Sequence, residues 1–397
     1  MYGLVLEGGG AKGSYHIGAC KALKELGIDL AAVAGTSIGA LNGAMIVQNQ
    51  LDKAYEIWYN ITPSQIFDLE EDGLKKAWSI LQNKGIDISA IKKLLMEIID
   101  ERKLRSSAMD FGFVTVSLTD KKPLELFLED IPPGKVVEYL LASAYLPAFK
   151  QEKLDGKRFM DGGFYDNLPL NMLVKKGYKK IIAVRTKALG RTRKVTDPQV
   201  TVDYISTDEN LGGILDFSQN QARFNLQLGY YDVFKYFKGL KGRKYYLEPT
   251  YNEGLFFNML LAPGEKTILR LGEILGFKGF PYRRLLFEHL IPKLTLFLDL
   301  DKESSYEDLV IAMLEIIAAE NNVERFKIYS LGDFLSALRL KIKNATEKGL
   351  HLGSLEQRLP AFILQSDVLS RAVKDKIVKE LAIEFFYEFL MKTELNH

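Results

Sequence analysis

The sequence contains a single cysteine, Cys20, so it cannot form an internal disulfide. This suits a reducing compartment, and the N-terminus is not typical of a signal peptide, so we expect a cytoplasmic location. Long hydrophobic runs are also missing. The longest candidate, Leu309–Leu314, ends at Glu315 and is too short to span a membrane. The formal net charge is only +2, and no nucleic-acid recognition motif appears, so we expect no nucleic-acid partner.

What is present is typical of a globular protein: 397 residues, of which 47% are hydrophobic and 26% are charged. This length allows a large core and two structural parts. Two small basic clusters, 191–194 and 238–244, are interpreted as solvated loops, with contact to anionic lipid headgroups as the alternative.

The sequence is organised around residues 31–44, where a short apolar run is followed by Gly-x-Ser-x-Gly and then by small and apolar residues. Strand, Gly-x-Ser-x-Gly and helix in that order are the context of a nucleophile elbow. Gly35 and Gly39 would leave room for the tight turn, and Ser37 would project from its tip beside the first amides of the helix. A plain strand–helix turn would have the same pattern, so the motif alone leaves both interpretations open.

A glycine-rich loop follows the first predicted strand, Tyr2–Glu7, and precedes a predicted helix over 14–26; it comprises Gly8, Gly9, Gly10, Lys12 and Gly13. The resulting βαβ unit predicts a parallel sheet. The loop formally matches a dinucleotide fingerprint, but the acid about 20 residues on, Asp29, precedes the second strand instead of ending it. The other interpretation is an oxyanion loop, whose amides turn toward an anion. We favour this one because it explains both glycine motifs.

The candidate base is Asp161, which follows a short apolar strand and precedes Gly162 and Gly163. Such a sequence is also typical of an ordinary turn. A triad in the order Ser, Asp, His would need a histidine after Asp161, but none of the three that follow, at 289, 351 and 397, has a companion signature, and His16 is predicted to be packed. A Ser37–Asp161 dyad is therefore the simpler prediction. Its aspartate would need an apolar site to raise its pKa from the reference value of about 3.9.

At this point the sequence resembles the patatin-like phospholipases. Three motifs match in the right order, namely Gly8–Gly13, Gly35–Gly39 and Asp161–Gly163, and the sequence at Leu141–Pro147 is also similar. The clear match covers about residues 1–185, within a predicted domain over 1–240.

The resemblance implies an α/β fold: a three-layer α/β/α sandwich with a mostly parallel, mixed central sheet. It implies that Ser37 is the nucleophile, that Asp161 is the general base, and that amides around Gly9 and Gly10 form the oxyanion hole. The expected reaction is hydrolysis of carboxylic esters in phospholipids or lysophospholipids, without a metal or an organic cofactor. A nucleotide-binding module and a catalytically silent scaffold remain the alternatives.

The remainder, about 250–397, lies outside the resemblance. Its apolar spacing predicts helices over 267–275, 306–320, 331–343 and 374–391. Two apolar segments, 256–261 and 384–390, are interpreted as core, with an acyl channel or membrane contact as the alternative. Its role and any protein partner are not predicted.

Overall fold

The computed structural model describes residues 1–66, 86–150, 153–154, 156–301, 303–347 and 371–392. The chain forms two compact units, Met1–Tyr236 and Phe237–His397. Within the described ranges, no helix combines the length and the hydropathy that crossing a membrane requires. A helix that we predict over 73–84 lies outside these ranges.

The first unit is built on one mixed sheet with the strand order β4-β3-β2-β1-β6-β7. Strands β3, β2, β1, β6 and β7 are parallel neighbours, while β4 and β5 run antiparallel to β3. The sheet is therefore mostly parallel, as predicted. Its strands are β1 (Tyr2–Leu6), β2 (Leu30–Thr36), β3 (Asp110–Ser117), β4 (Lys122–Phe127), β5 (Phe159–Asp161), β6 (Lys180–Val184) and β7 (Thr201–Ile205).

Helices cover both faces of this sheet. They are α1 (Ser14–Glu25), α2 (Ile38–Val47), α3 (Leu51–Tyr59), α4 (Pro63–Ile66), α5 (Ser89–Ile98), α6 (Glu101–Ser106), α7 (Val136–Ser143), α8 (Leu170–Lys175) and α9 (Gln219–Lys238). Short 3₁₀ turns occupy Gly10–Gly13, Leu128–Asp130 and Gly162–Phe164.

Alternating side chains of β2 face different layers, because successive residues of a strand point to opposite faces. Val33 faces α2, where a Cβ added at Gly43 would lie 3.1 Å from its Cγ1. Ala32 and Ala34 belong to the buried cluster that includes residues of α8. The sheet is thus enclosed between α2 and α8, which confirms the predicted three-layer α/β/α sandwich.

We predict that residues 42–59 are helical, and the structure divides them between two helices, since α2 ends at Val47 and α3 begins at Leu51. The reason is the buried side chain of Gln48, which donates to Ile98 O (2.8 Å) and accepts from the N–H of Asp100 (2.9 Å). These long-range bonds hold the interruption between the two helices, a feature that local spacing does not encode.

For the segment before Asp161 the sequence predicts a short hairpin over 154–160, and the structure differs from this in detail. Leu154 and Lys157 form a single bridge, and the following residues form β5 against β3. The strand therefore joins the main sheet instead of closing a local hairpin.

The second unit is mainly helical, as predicted, and two-residue strands β8 (Tyr246–Leu247) and β9 (Ile328–Tyr329) pair in parallel. The helices are α10 (Glu253–Leu261), α11 (Glu265–Ile274), α12 (Tyr282–Arg284), α13 (Ile291–Phe297), α14 (Tyr306–Glu320), α15 (Leu331–Glu347) and α16 (Arg371–Lys392), with a π-helical turn at Leu285–Leu290.

The apolar segments of this unit pack as core. Phe256 and Leu260 of α10 and Phe385 and Phe386 of α16 are buried in one cluster with α14. At the start of α14, Ser305 and Asp308 form a capping box, which satisfies the first amides of this buried helix. The core interpretation is confirmed for these residues.

Two glycines let α1 and α9 cross at backbone contact distance. A Cβ added at Gly18 would lie 1.9 Å from Leu226 O, and one added at Gly229 would lie 2.1 Å from Tyr15 O. Neither approach tolerates a methyl group unless the helices move apart.

We therefore expect Gly229→Ala to lower the free energy of unfolding of the first unit by about 2 kcal/mol or more, the cost of overpacking a close contact. Chemical denaturation followed by circular dichroism measures the change. The control is Gly213→Ala, where the nearest atom to the new Cβ is 3.8 Å away and the change should stay within about 0.5 kcal/mol. Equal effects of the two substitutions would contradict the packing argument.

Candidate active site

Ser37 occupies the turn between β2 and α2 in a backbone conformation that an L-residue rarely adopts, with φ 55° and ψ −124°. Such conformations persist only where the surroundings enforce them. Here the turn is closed by glycine contacts: a Cβ at Gly35 would lie 2.4 Å from Gly39 C, and one at Gly39 would lie 2.2 Å from Leu6 O. The predicted elbow glycines are therefore required by close packing.

Strand pairing brings Asp161 to this turn. Residues 110–114 of β3 pair with β2, and residues 115–117 pair with β5. Because β4 occupies the other edge of β3 over the same stretch, β2 and β5 share one edge. β2 runs parallel to β3 and β5 runs antiparallel, so their carboxyl ends meet head to head. Thr36 pairs with Val114 and Asp161 pairs with Thr115, which places Ser37 and Asp161 at the same level.

Gly162 fits this junction for the same reason. A Cβ at this position would lie 2.2 Å from Val114 O and 3.0 Å from Thr36 Cγ2. The glycine therefore lets the chain leave β5 directly beside the end of β2.

Both side chains are withdrawn from water, with 7% of Ser37 and 4% of Asp161 exposed. Burial raises the pKa of Asp161 to about 6, while the Ser37 hydroxyl and the Gly163 N–H lower it in part. Oδ1 of Asp161 accepts from Gly163 N (2.7 Å). Oδ2 has no aligned hydrogen-bond partner among the described residues, so the interaction with Ser37 is not a well-formed bond. The result is a carboxylate of raised basicity with one free oxygen, as a general base requires.

The glycine loop is fixed so that two amides remain available. Thr186 Oγ1 donates to Gly8 O (2.7 Å), and Lys12 N–H donates to Gly9 O (3.3 Å). In a trans peptide the C=O and the following N–H point in opposite directions. The N–H groups of Gly9 and Gly10 therefore point away from those partners, and neither has a hydrogen-bond acceptor among the described residues. Two such amides can hold a developing oxyanion.

Glu7, which sequence reasoning missed, anchors the base of this loop. Its buried carboxylate accepts from Thr186 N (2.7 Å), Lys187 N (2.8 Å) and an Arg185 guanidinium N–H (3.1 Å). The loop is thereby joined to the segment that follows β6. The acidic residue directly after β1 is the only signal of this in the sequence.

The end of α7 positions both members of the pair. Ser37 N–H donates to Ser143 Oγ (3.0 Å), and Ser143 Oγ donates to Val114 O (2.6 Å). Two residues later, Tyr145 O accepts from Asp161 N–H (2.7 Å). From the sequence, this stretch is recognised only by its similarity to the patatin-like phospholipases, and no role is predicted for it.

A cavity of about 620 Å³ opens over these groups. Of the predicted site residues it is lined by Gly9, Gly10, Ser37, Asp161 and Gly163, and its other lining residues are mostly apolar. Gly8, Gly13 and Lys12 do not line it, and neither do Gly35, Gly39 and Gly162, which shape the backbone behind it. The volume suits a small organic or lipid ligand.

The histidines are not part of this arrangement. His16, the only histidine before residue 237, is fully buried, and desolvation lowers its pKa to about 3, so it is a neutral packed side chain as predicted. His289 lies between the rings of Phe277 and Phe280 in the second unit. His351 and His397 lie outside the described residues.

Fold and site together define an α/β protein with a buried serine–aspartate pair at the carboxyl edge of its parallel strands. Residues 4–174 match the family model of the patatin-like phospholipases.

Several known proteins are similar to this chain over part of its length. The mouse patatin-like phospholipase domain-containing protein 6 is 28% identical over 195 residues, covering 46% of this chain and 13% of that protein. Lysophospholipase NTE1 of Mycosarcoma maydis is 27% identical (48% and 10%), and neuropathy target esterase sws of Drosophila melanogaster is 30% identical (46% and 12%). The chain thus matches only about an eighth of the length of the first of these relatives.

Among solved structures, VipD from Legionella pneumophila aligns over 100% of this chain and 92% of its own, at 15% identity and a TM-score of 0.35. This likeness is too weak to support an argument.

Removing the Ser143 hydroxyl should leave the Ser37 N–H buried without a partner. We expect Ser143→Ala to slow phosphonylation of Ser37 by a fluorophosphonate about tenfold, because the strained turn loses its clamp, and to destabilise the unit by about 1–3 kcal/mol. The labelling rate is measured on folded protein. Ser117→Ala is the control: it removes an equally buried hydroxyl that bonds to Asp120 and should leave the labelling rate unchanged. Equal slowing in both variants would indicate a merely structural effect.

The pKa of Asp161 also predicts a pH-dependent cost in stability. A carboxyl whose pKa rises from 3.8 to about 6 on folding lowers the free energy of unfolding as the pH increases through this window. Asp161→Asn should therefore gain on the order of 2–3 kcal/mol relative to wild type between about pH 4 and pH 7, measured by chemical denaturation.

Asp120→Asn is the control of opposite sign. Hydrogen bonding to Lys157 lowers the pKa of exposed Asp120, so this variant should lose stability relative to wild type as the pH rises. A parallel pH dependence of the two variants would contradict the assignment of the cost to burial of Asp161.

Proposed function

We propose that the chain is a lipid acyl hydrolase that cleaves carboxylic esters of phospholipids or lysophospholipids through a Ser37–Asp161 dyad. The observation that carries the proposal is the buried, incompletely hydrogen-bonded carboxylate of Asp161 beside the strained Ser37. The patatin-like domain and the names of its relatives support a lipid ester as the substrate.

In the first half of the reaction, Asp161 accepts the proton of the Ser37 hydroxyl as Oγ attacks the ester carbonyl. The carbonyl oxygen becomes negatively charged and is held by the amides of Gly9 and Gly10. When the tetrahedral intermediate collapses, the protonated Asp161 gives its proton to the leaving alkoxide, and the acyl group remains on Ser37.

In the second half, Asp161 accepts a proton from water, which attacks the acyl-enzyme. The fatty acid leaves, and the proton returns to Ser37 Oγ. The apolar part of the cavity wall, which includes Leu146, Phe164 and Leu215, would hold the acyl chain. The steps need neither metal nor organic cofactor.

The alternatives gain less support. A dinucleotide-binding module would need an acidic residue at the carboxyl end of the second strand. Asp29 instead precedes β2, and the backbone carbonyl of Asp29 accepts from Tyr2 N–H (2.9 Å) at the amino ends of the strands. A catalytically silent scaffold would not require a buried carboxyl group such as that of Asp161, whose burial lowers the stability of the fold. We also propose a cytoplasmic enzyme in peripheral contact with membranes, because its one cysteine is buried and its proposed substrate is a membrane lipid.

The test combines probe labelling with hydrolysis. A fluorophosphonate should modify Ser37, identified by mass spectrometry, with a rate that rises about tenfold per pH unit below pH 6 and levels off above it, since only ionised Asp161 accepts the proton. Ser37→Ala should abolish labelling, and Asp161→Asn should slow it by about 10²–10⁴-fold. Release of fatty acid from phosphatidylcholine and lysophosphatidylcholine should fall in parallel.

Ser117→Ala serves again as the matched serine control and should retain both activities. Labelling at another serine, or hydrolysis that survives Ser37→Ala, would refute the dyad. Labelling at Ser37 without release of fatty acid from either lipid would keep the activated serine and refute the lipid substrate.

A further inference from the structure

Three large apolar side chains remain exposed around the mouth of the candidate cavity. They are Phe164 (50% exposed), Leu189 (101%) and Ile214 (42%), and all three line the cavity. Single exposed apolar residues are common, but a group of them around one opening indicates an interaction surface. Leu189 is the extreme case, because the residue is as exposed as it would be in an extended chain.

The segment that carries Leu189 is strongly basic. Residues 185–194 contain Arg185, Lys187, Arg191, Arg193 and Lys194 and no acidic residue. Two of these cations are neutralised, since Arg185 pairs with Glu7 (3.1 Å) and Lys187 pairs with Asp208 (2.6 Å).

The other three cations lie after Leu189 in the chain. Arg193 stacks on Tyr165, and exposed Arg191 and Lys194 make no ion pair among the described residues. The apolar tip is therefore followed by two cations that no acidic residue of the described part of the chain neutralises by an ion pair.

The base of this segment is rigid, so its tip is held in place. Glu7 binds the N–H groups of Thr186 and Lys187, and Thr186 Oγ1 binds Gly8 O. At its far end, Arg191 N–H donates to Gly163 O (3.0 Å), and Arg191 O accepts from Asn167 N–H. Leu189 thus projects from a loop that is fixed at both ends to the candidate active site.

We infer that this face docks on an anionic lipid bilayer, with Leu189 entering the boundary between headgroups and acyl chains. Arg191 and Lys194 would contact the phosphates of the headgroups, and Phe164 and Ile214 would rest on the surface around the opening. An apolar tip next to uncompensated cations complements an anionic bilayer, which offers negative charge above a hydrocarbon layer. The inference names the surface for the peripheral contact that the proposed function includes.

Both contributions should be measurable in the binding of vesicles. Loss of one buried leucine side chain corresponds to about a tenfold or larger loss of affinity. Each basic residue near an anionic surface contributes about fivefold, and this contribution decreases as salt is added.

The experiment uses the full chain with Ser37→Ala, so that lipids are not consumed, and vesicles of phosphatidylcholine alone or mixed with phosphatidylserine. Sedimentation should show binding to the mixed vesicles and at least tenfold weaker binding when Leu189→Asp is added. Leu340→Asp, which places the same charge at an exposed leucine of the second unit, should bind like the parent. Circular dichroism checks that each variant is folded.

The charge arm replaces both uncompensated cations. Arg191→Gln with Lys194→Gln should weaken binding to the mixed vesicles at least tenfold and reduce its salt dependence. The matched control is Arg102→Gln with Lys103→Gln, two exposed neighbouring cations of α6, which should change neither.

A spectroscopic arm tests whether the tip enters the membrane. Burial raises the pKa of the Cys20 thiol to about 12, so a thiol-reactive dye should label Leu189→Cys selectively. A polarity-sensitive dye at this position should shift to the blue on vesicle addition, whereas the same dye on Leu340→Cys should not.

The result that overturns the inference is vesicle binding that is unaffected by Leu189→Asp, or no vesicle binding at all. Self-association that Leu189→Asp abolishes, without vesicle binding, would also overturn it by assigning the face to a second copy. Hydrolysis of the short-chain ester p-nitrophenyl butyrate by the wild-type protein is measured in parallel. If this hydrolysis depends on Ser37 while vesicles are not bound, the dyad stands and only the docking inference fails.

Discussion

The meeting of two strand ends on one edge of β3 is the constraint on which the rest of the site depends. β2 and β5 approach each other with their carboxyl ends, so a residue leaving β2 and a residue ending β5 must share a small buried space. Only glycine fits next to that junction, because Gly35, Gly39 and Gly162 each lie where a Cβ would overlap backbone atoms. The strained conformation of Ser37 follows from the same geometry.

Glu7 and Asp161, two of the buried carboxylates near this junction, show how hydrogen bonding separates a structural carboxylate from the proposed general base. Glu7 accepts three N–H groups, one of them from a guanidinium, and so fixes the glycine loop. Among the described residues, Asp161 accepts one N–H, from Gly163, and its Oδ2 has no aligned hydrogen-bond partner. A buried carboxylate with few donors holds its proton more tightly, which raises its pKa toward the range useful for proton transfer. The cost in stability is the physical counterpart of this raised pKa.

Sequence reasoning succeeded where the constraint is local and failed where it is long-range. The glycines around Ser37 could be read because a tight turn restricts the residues beside it, and the parallel sheet followed from the βαβ order. The arrival of β5 from the opposite direction, the clamp by Ser143 and the break at Gln48 depend on partners 29 to 106 residues away, which no local pattern encodes. The exposed apolar residues around the mouth of the cavity were missed for a related reason. A leucine at position 189 is not unusual in the sequence, and only the structure reveals how exposed it is.

The elements that fix the candidate catalytic groups also fix the residues around the mouth of the cavity. Phe164 follows Gly163, whose amide binds Asp161, and Leu189 follows the segment that Glu7 ties to the glycine loop. Ile214 O accepts from Ala11 N–H (2.9 Å), one residue after the candidate oxyanion amides. Each proposed lipid contact would therefore be linked, through neighbouring residues or hydrogen bonds, to a group of the proposed active site. A rigid connection of this kind lets a bilayer hold an ester at a defined depth relative to Ser37, so that binding energy gained outside the cavity contributes to orientation inside it.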